Sequence, residues 1–378
     1  MHKSKSPVLF LLLSLLTSFK KTSMNEENNK EIKLTEFTKG GGCGCKIAPQ
    51  VLAEILKTTT TQPENKNLLV GNSTNDDAAV YDLGNGKALI STTDFFMPIV
   101  DDPFDFGRVA AANAISDVYA MGGTPTLALA ILGWPVEILS PTIAKKVIEG
   151  ARTICVEAGI PLGGGHSIDT KEPMFGLSVN GLIEIEHLKK NSTAQEGDLI
   201  FMTKPLGTGI LASAQKRKLL LPEDQIELIK QLTTLNSIGE KLGRIKDVTA
   251  MTDITGFGLL GHLTEMAQGS GLSAEINYRT VPKFASLQNY IKQGISPDAT
   301  SRNWNAYSNL VKFEEGVDVL EAFMVLPDPQ TNGGILFCAR PESLKQIEEI
   351  LGANGLSAFS KPIGKMMKRD EKIIRVGN

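Results

Sequence analysis

Residues 78–93, AAVYDLGNGKALISTT, decide the fold class of this chain. They predict two apolar strands, 78–83 and 88–93, joined by a Gly84-Asn85-Gly86 turn that is typical of a hairpin. A hairpin makes its two strands antiparallel, which excludes a purely parallel, doubly wound sheet. Because strands alternate with helices elsewhere, the sequence predicts a mixed α/β (α+β) fold. Further strands are predicted at 126–133, 175–185, 198–203, 274–278 and 334–339, and helices at 49–56, 106–121, 140–158, 225–242 and 341–351.

The length of 378 residues is enough for two domains, each with its own core. The chain turns polar near 191–197, so we expect an N-terminal domain of 49–190 and a C-terminal domain of 191–378. Hydrophobic content of 42% and charged content of 21% are ordinary for a globular protein. The net charge of −3, without a basic stripe, argues against a nucleic-acid partner.

Residues 1–33 form an N-terminal extension with an apolar segment at 7–19 between lysines. The segment has the length of a secretory signal but is too short to span a bilayer comfortably, and its cleavage site is poor. Two hypotheses follow: an over-extended start, with Met24 as the natural beginning, or an export or anchoring segment. We favour the first, since reactive thiols would oxidise outside the cytoplasm. We therefore expect a cytoplasmic protein for which membrane association is unlikely.

Residues 34–48 form a loop that contains the run GGGCGCKI at 40–47. Glycine leaves the backbone mobile, so Cys43 and Cys45 are expected to swing freely rather than lie in a core. Lys46 places a positive charge beside the thiols, which favours the nucleophilic thiolate. The alternatives are half of a zinc site, for which no second cysteine pair is present, and a linker with incidental cysteines. A reactive thiol loop is the preferred interpretation.

Aspartates recur beside small and hydroxyl residues at the predicted strand ends. Asp77 directly precedes one strand, Asp94 ends another, and Asp253 precedes a glycine turn that opens a helix. Asn113 and Asp117 are four residues apart on a helix and share one face, and the neighbouring alanines are expected to leave room for a bulky ligand. Carboxylates are the ligands that Mg²⁺ prefers, so the pattern favours a nucleotide site without a P-loop. The alternative is that each aspartate caps a helix or turn. The glycine-rich turn expected at 162–167 is a weaker phosphate-binding signal.

Together these motifs closely resemble the selenophosphate synthetase (selenide, water dikinase) family, within the aminoimidazole-ribonucleotide synthetase superfamily. The likeness runs from about Leu34 to the C-terminus, and the Cys-Gly-Cys-Lys loop is its most specific part. The matching segments are 42–47, 75–80, 91–96, 113–117, 164–167 and 251–258.

The resemblance implies that ATP, selenide and water give selenophosphate, AMP and phosphate. It also implies two α/β domains, with the N-terminal sheets forming the core of a homodimer, and a selenium-delivery protein as a possible partner. By motif match, Cys43 resembles the essential nucleophile or selenium carrier, and Lys46 the lysine that meets the phosphates. Further ATP contacts would be Thr74, Asn75, Asp76, Asp94 and Asp117, with Gly165, His166 and Ser167 supplied by the partner subunit, and the Mg²⁺ ligands would be Asp77, Asp117 and Asp253.

Two positions depart from the family pattern. Asn75 replaces a basic residue, which leaves one charged phosphate contact in doubt, and Asn332 replaces a serine. The rival functions are another ATP-dependent enzyme of the superfamily, such as a thiamine-phosphate kinase, a purine synthetase or a hydrogenase-maturation factor, and a non-catalytic thiol or metal carrier. The Cys43 loop argues against the first group, and the aspartates argue against the second.

Overall fold

The computed structural model describes residues 32–47, 49–55, 57, 65–71 and 76–378. Residues 33–378 form one compact unit. The apolar segment 7–19, Met24 and the predicted ATP contacts Thr74 and Asn75 lie outside the described residues.

The first half of the described chain builds a six-stranded mixed sheet in the order β1-β2-β3-β6-β4-β5. All neighbouring strands are antiparallel except the pair β4 and β5 at one edge, which is parallel. The strands are β1 (Leu68–Val70), β2 (Ala79–Gly84), β3 (Lys87–Phe96), β4 (Thr124–Trp134), β5 (Leu162–Asp169) and β6 (Met174–Glu184).

The predicted hairpin is the pair β2 and β3. Gly84 faces Lys87 across the ladder, so Asn85 and Gly86 form a two-residue turn. Their φ angles of 59° and 77° are the positive values that a type I′ turn requires, which is why this sequence favours a hairpin.

The second and third of the three helices in this half pack against the sheet. The three helices are α1 (Pro49–Ile55), α2 (Pro103–Ala120) and α3 (Pro141–Glu157). The Asp102 carboxylate caps α2 by accepting a hydrogen bond from the Asp105 N–H. The ring of Phe106 packs 6.1 Å from that of Phe96, centroid to centroid, which seats α2 on the sheet. The helices α2 and α3 touch backbone to backbone, because a Cβ on Gly107 would lie only 1.9 Å from the carbonyl oxygen of Val147.

The second half builds a seven-stranded mixed sheet in the order β10-β13-β9-β12-β7-β11-β8. Its strands are β7 (Leu199–Met202), β8 (Val248–Asp253), β9 (Ser273–Asn277), β10 (Val311–Phe313), β11 (Ile335–Ala339), β12 (Gly364–Met367) and β13 (Ile374–Gly377). Its helices are α4 (Thr208–Lys216), α5 (Pro222–Thr233), α6 (Ile238–Gly243), α7 (Gly258–Gly269), α8 (Leu287–Ile291), α9 (Asp298–Tyr307), α10 (Val319–Val325) and α11 (Leu344–Ala353).

The mixed α/β fold is therefore confirmed, whereas the predicted division at 190/191, which falls between the two sheets, stays a prediction. The single helix expected at 225–242 is wrong, since the chain leaves the helical path between α5 and α6. There the Thr234 carbonyl accepts hydrogen bonds from Lys204 Nζ and Asn332 Nδ2, at 2.8 and 2.9 Å. The side chains of Lys204 and Asn332 thus bind the Thr234 carbonyl, which in a continuous helix would accept a backbone N–H.

The glycine-rich turn expected at 162–167 is also wrong, because these residues belong to strand β5. Glycines with φ of 143° and 153° let residues 164 and 165 extend beside β4, where a Cβ on Gly165 would lie 2.1 Å from the Ala130 carbonyl oxygen. Among the described helices none is long and apolar enough to cross a membrane.

Candidate active site

Helix α2 supplies the buried polar floor of the site. Asn113, Ser116 and Asp117 lie on the same helical face, as their spacing predicts, and are at most 7% exposed. The alanines beside them, Ala110, Ala111, Ala112 and Ala114, are fully buried in the core. The expectation that they leave room for a ligand is therefore wrong, since they let α2 pack closely against its neighbours.

Three further carboxylates converge on this floor from separate elements. Asp94 on β3 accepts a hydrogen bond from Asn113 Nδ2 at 2.6 Å. Asp253, the last residue of β8, accepts one from Ser116 Oγ at 2.5 Å. Asp77, two residues before β2, accepts one from Thr252 Oγ1 on β8 at 2.8 Å, which ties the start of β2 to the second sheet.

The four carboxylates are close enough to perturb one another's ionisation. Burial, followed by the charge of Asp253, raises the pKa of Asp77 well above its usual range. Burial, followed by the charge of Asp94, does the same to the pKa of Asp117. Burial raises the pKa of Asp253 to about 6. A cluster of this kind favours a bound cation, because the cation would relieve the repulsion that now disfavours ionisation.

A carboxylate oxygen without a hydrogen-bond partner also favours a bound cation. Within the described part of the chain, Asp77 Oδ2 is buried and has no hydrogen-bond partner, and such an atom is costly to leave unpaired. Over the same residues, no three or more His, Cys, Asp or Glu side chains are spaced to hold a metal ion by themselves.

The cysteine loop is docked against this cluster. Residues Gly42–Cys45 form a 3₁₀ turn, and Cys43 is only 2% exposed. Its backbone N–H donates to Thr331 Oγ1 at 2.9 Å, and its thiol lies 3.3 Å from Asn113 Oδ1. The expectation that Cys43 swings freely and stays out of the core is wrong for this conformation, since side chains from both halves of the chain hold it.

The protonation predicted for the Cys43 thiol is also wrong for the docked loop. Burial raises the pKa of Cys43 far above its usual value, and this effect outweighs the lowering caused by Lys46. Docked Cys43 is thus a neutral thiol that donates to the Asn113 amide oxygen.

Lys46 extends from the same loop along the carboxylates. The charge of Asp94 is the main cause that holds the pKa of Lys46 above its usual value, so the ammonium stays protonated. Its stem passes Gly256, where a Cβ would lie 3.0 Å from Lys46 Cδ. The loop thus brings one thiol and one positive charge to a group of four carboxylates.

Three of the other predicted residues are not brought to this place. Gly165, His166 and Ser167 are exposed on strand β5, at the edge of the first sheet. Asp76 accepts a hydrogen bond from the backbone N–H of Asn191 at 2.7 Å, which joins it to the chain between the two sheets.

Sequence reasoning missed two residues that support the site, Lys204 and Asn236, and noted Asn332 only as a departure from the family pattern. Lys204 is buried, and burial lowers its pKa to about 7. Its Nζ donates to the carbonyl oxygen of Asn332 at 2.9 Å. The Asn332 N–H in turn donates to Asn113 Oδ1 at 2.7 Å. Asn236 Nδ2 donates to Ser116 Oγ at 2.8 Å. The signal that could have found Lys204 is the glycine turn that follows it and opens α4.

Comparisons with known proteins show which family the chain belongs to. Two family models match, the AIR synthase related protein N-terminal domain over residues 75–183 and its C-terminal domain over 195–377. The chain is 53% identical over 336 residues to the selenide, water dikinase of Colwellia psychrerythraea, which covers 89% of this chain and 96% of that protein. It is 52% identical over 329 residues to the selenide, water dikinase of Escherichia coli K12, and the match covers 87% of this chain and 94% of that protein.

Solved structures share the fold at low sequence identity. The thiamine-monophosphate kinase of Stenotrophomonas maltophilia superposes with a TM-score of 0.60 at 19% identity, covering 86% of this chain and 94% of that chain. The hydrogenase maturation protein HypE in complex with ATP superposes with a TM-score of 0.60 at 20% identity. The match covers 82% of this chain and 83% of that chain. The chain belongs to the AIR synthase related proteins and, within them, to the selenide, water dikinase family.

Proposed function

We propose that this chain makes selenophosphate from ATP, selenide and water, releasing AMP and phosphate. The observation that carries the proposal is the docking of the Cys43 and Lys46 turn onto the carboxylates of both halves. The Cys43 thiol, the Lys46 ammonium and the carboxylate cluster then lie close together. The thiol suits a soft chalcogen nucleophile, the ammonium suits a phosphoryl group, and the carboxylates suit a metal ion.

We propose Asp77, Asp117 and Asp253 as the Mg²⁺ ligands. Because no three such side chains of the described residues are spaced to hold an ion alone, substrate oxygens would complete the coordination. The unpaired Asp77 oxygen and the raised carboxyl pKa values fit a divalent cation. When bound, Mg²⁺ neutralises charge on the phosphates. The side chains around the ligands orient them, since Thr92, Ser116 and Thr252 each donate a hydroxyl to one carboxylate.

We propose that the nucleotide lies against the same cluster. HypE, which shares the fold, has been solved in complex with ATP. Lys46 is the group we propose for the phosphates, because Asp94 keeps its ammonium protonated. Asp94 and Asp117 border the same space, whereas Thr74, Asn75 and Asp76 enter the proposal through their motif alone.

Cys43 has a proton to lose before it can act as a nucleophile. In the docked loop its S–H donates to Asn113 Oδ1, and burial keeps the thiol neutral. Opening the loop to water would remove the burial effect, and the remaining charge of Lys46 would favour the thiolate. Loop movement would thus control when the sulfur becomes reactive.

We also propose a homodimer built on the first sheet. Its strands expose large apolar side chains at Leu127, Leu129 and Ile168, each at least 36% exposed. Strand β5 with Gly165, His166 and Ser167 lies at the edge of this sheet and would reach the partner's site. Leu129→Arg should convert the dimer to monomer in sedimentation velocity, whereas a monomeric unmodified protein would contradict the proposal.

A reducing cytoplasm suits the four cysteines, all of which are free thiols. The decisive experiment incubates the purified protein anaerobically with ATP, Mg²⁺ and selenide, and follows the products by phosphorus NMR.

Selenophosphate and AMP should form only when selenide is present, and Cys43→Ser should bind ATP without forming selenophosphate. ATP conversion to ADP with another acceptor would favour a superfamily kinase, and no Mg²⁺-dependent ATP consumption would favour a thiol carrier. Normal selenophosphate formation by the serine variant would contradict the role of Cys43.

A further inference from the structure

The two cysteines of the loop face different surroundings. Cys43 faces the carboxylates, whereas Cys45 lines a cavity of about 400 Å³ on the other side of the same turn. We call this the basic cavity, and it lies between the loop, α4 and the start of α9. Four cationic side chains line it with one acidic one, namely Lys39, Lys216, Arg217 and Arg302 with Asp298.

Cations outnumber carboxylates around the basic cavity, even with Glu172, which accepts a hydrogen bond from the Lys39 backbone N–H at 3.4 Å, counted beside Asp298. Lys216 Nζ donates to the carbonyl oxygens of Thr38 and Lys39, at 2.8 and 2.9 Å. Arg302 Nη2 donates to the Gly44 carbonyl oxygen at 2.9 Å. These bonds hold the loop, but a carbonyl carries no net charge. Over the described residues, none of the four lining cations forms an ion pair with a carboxylate. An excess of positive charge in a concave site attracts small anions.

The basic cavity also lies next to the carboxylate cluster. Thr331 lines it and accepts the Cys43 N–H, so the turn is a thin partition between cavity and carboxylates. A Cβ on Gly40 would lie 2.5 Å from Cys45 Sγ, so glycine leaves space for this thiol. Lys216 and Arg302 both act to lower the pKa of the Cys45 thiol, against the larger raising effect of burial.

We propose that the basic cavity holds the hydrogen selenide anion before it reaches the carboxylate site. This inference rests on the proposed function. At neutral pH the substrate is a monoanion, and it would be repelled by the four carboxylates if it approached from their side. The cavity offers the opposite charge and a polarisable sulfur. Binding there is non-covalent, and Cys45 is a contact rather than a nucleophile.

The test reverses two charges that do not hold the loop. Lys39 has no side-chain bond to the described residues, and Arg217 makes only a 3.4 Å contact with the Ser296 carbonyl oxygen. The variant Lys39→Glu/Arg217→Glu is therefore expected to fold normally. Lys246→Glu/Lys345→Glu is the matched control, because both lysines are exposed and lie outside the cavity lining.

We expect the KM for selenide to rise about tenfold in the cavity variant, which corresponds to about 1.4 kcal/mol. The KM for ATP and the kcat at saturating selenide should stay within about twofold of the unmodified protein. Added salt should raise the selenide KM of the unmodified protein more than that of the variant, since salt screens the attraction. The control should behave as the unmodified protein does.

Equilibrium dialysis with radioactive selenide in the absence of ATP separates this inference from the proposed function. Retention by the unmodified and control proteins, but not by the cavity variant, supports the cavity even if no selenophosphate forms. Equal retention by all three proteins overturns it. A variant with an unchanged selenide KM but altered inhibition by inorganic phosphate also overturns it, because the cavity would then serve that anion instead.

Discussion

Replacing Gly42 by alanine should release the cysteine loop while leaving the rest of the protein folded. Gly42 has a φ of 56°, where residues with a Cβ are strained. A Cβ at this position would lie 2.4 Å from Thr331 Oγ1 and 2.6 Å from Ile99 Cδ1. The Thr331 hydroxyl can rotate away only by giving up its bond to the Cys43 N–H.

The cost can be summed from these contacts. The left-handed backbone contributes about 1–2 kcal/mol. The lost hydrogen bond adds about 1 kcal/mol, and the displaced Ile99 adds a smaller amount. The total of about 3 kcal/mol corresponds to an increase of about a hundredfold in the population of the undocked loop. Because the loop belongs to neither sheet, this cost falls on docking rather than on global folding.

Alkylation of Cys43, followed by peptide mass spectrometry in a Cys45→Ser background, measures that population. Docked Cys43 is buried and protonated, so it reacts only when the loop opens. Its labelling rate should rise about a hundredfold in Gly42→Ala, or until the loop is mostly open. Gly84→Ala is the matched control, because its φ of 81° gives the same backbone strain but no atom lies within 4 Å of the added Cβ.

Two results would refute this reasoning. One is a Cys43 labelling rate in Gly42→Ala that equals the rate in the Gly84→Ala control. The other is a parallel rise in labelling of Cys155, which is buried in the first core and reports global unfolding instead of loop release.

Three further changes test other parts of the site. Asp77→Asn should stabilise the metal-free protein by about 1 kcal/mol, since it removes a crowded charge, and should abolish the rise in melting temperature caused by Mg²⁺; an undiminished rise would exclude Asp77 as a ligand. Asn332→Ala should lower the free energy of unfolding in urea by about 3 kcal/mol, because Asn332 combines a φ of 47° with two side-chain hydrogen bonds. Asn85→Ala in the exposed hairpin turn should lower it by only about 1 kcal/mol. Equal losses in the two variants would contradict this prediction. Burial raises the pKa of Asp328 from 3.8 to about 8, so the stability it contributes is complete below pH 3.8 and is lost as the pH rises to about 8. Asp328→Asn should therefore gain stability relative to the unmodified protein across that window in denaturant unfolding, and a constant difference would show that Asp328 does not titrate there.

Much of the local structure could be predicted because it depends on neighbours in the chain. Asn85 and Gly86 adopt positive φ easily, so the hairpin follows from these two residues. Pro141 at the start of α3 and Gly159 after its end mark that helix in the same way. The spacing of Asn113 and Asp117 placed both on one helical face, and their motif led to the right family.

The environment of each group could not be predicted, because it is set by residues far away in the chain. Cys43 looked mobile and acidic from its glycines and from Lys46, yet Thr331 and Asn113 bury it and keep it protonated. The sequence by itself determined which groups are present, the turns and the helical faces, since these are local properties of the backbone. Only the tertiary structure decided which side chains are buried, which of them are charged and which side of the loop each cysteine faces. Desolvation and Coulomb energy depend on distances that folding alone creates.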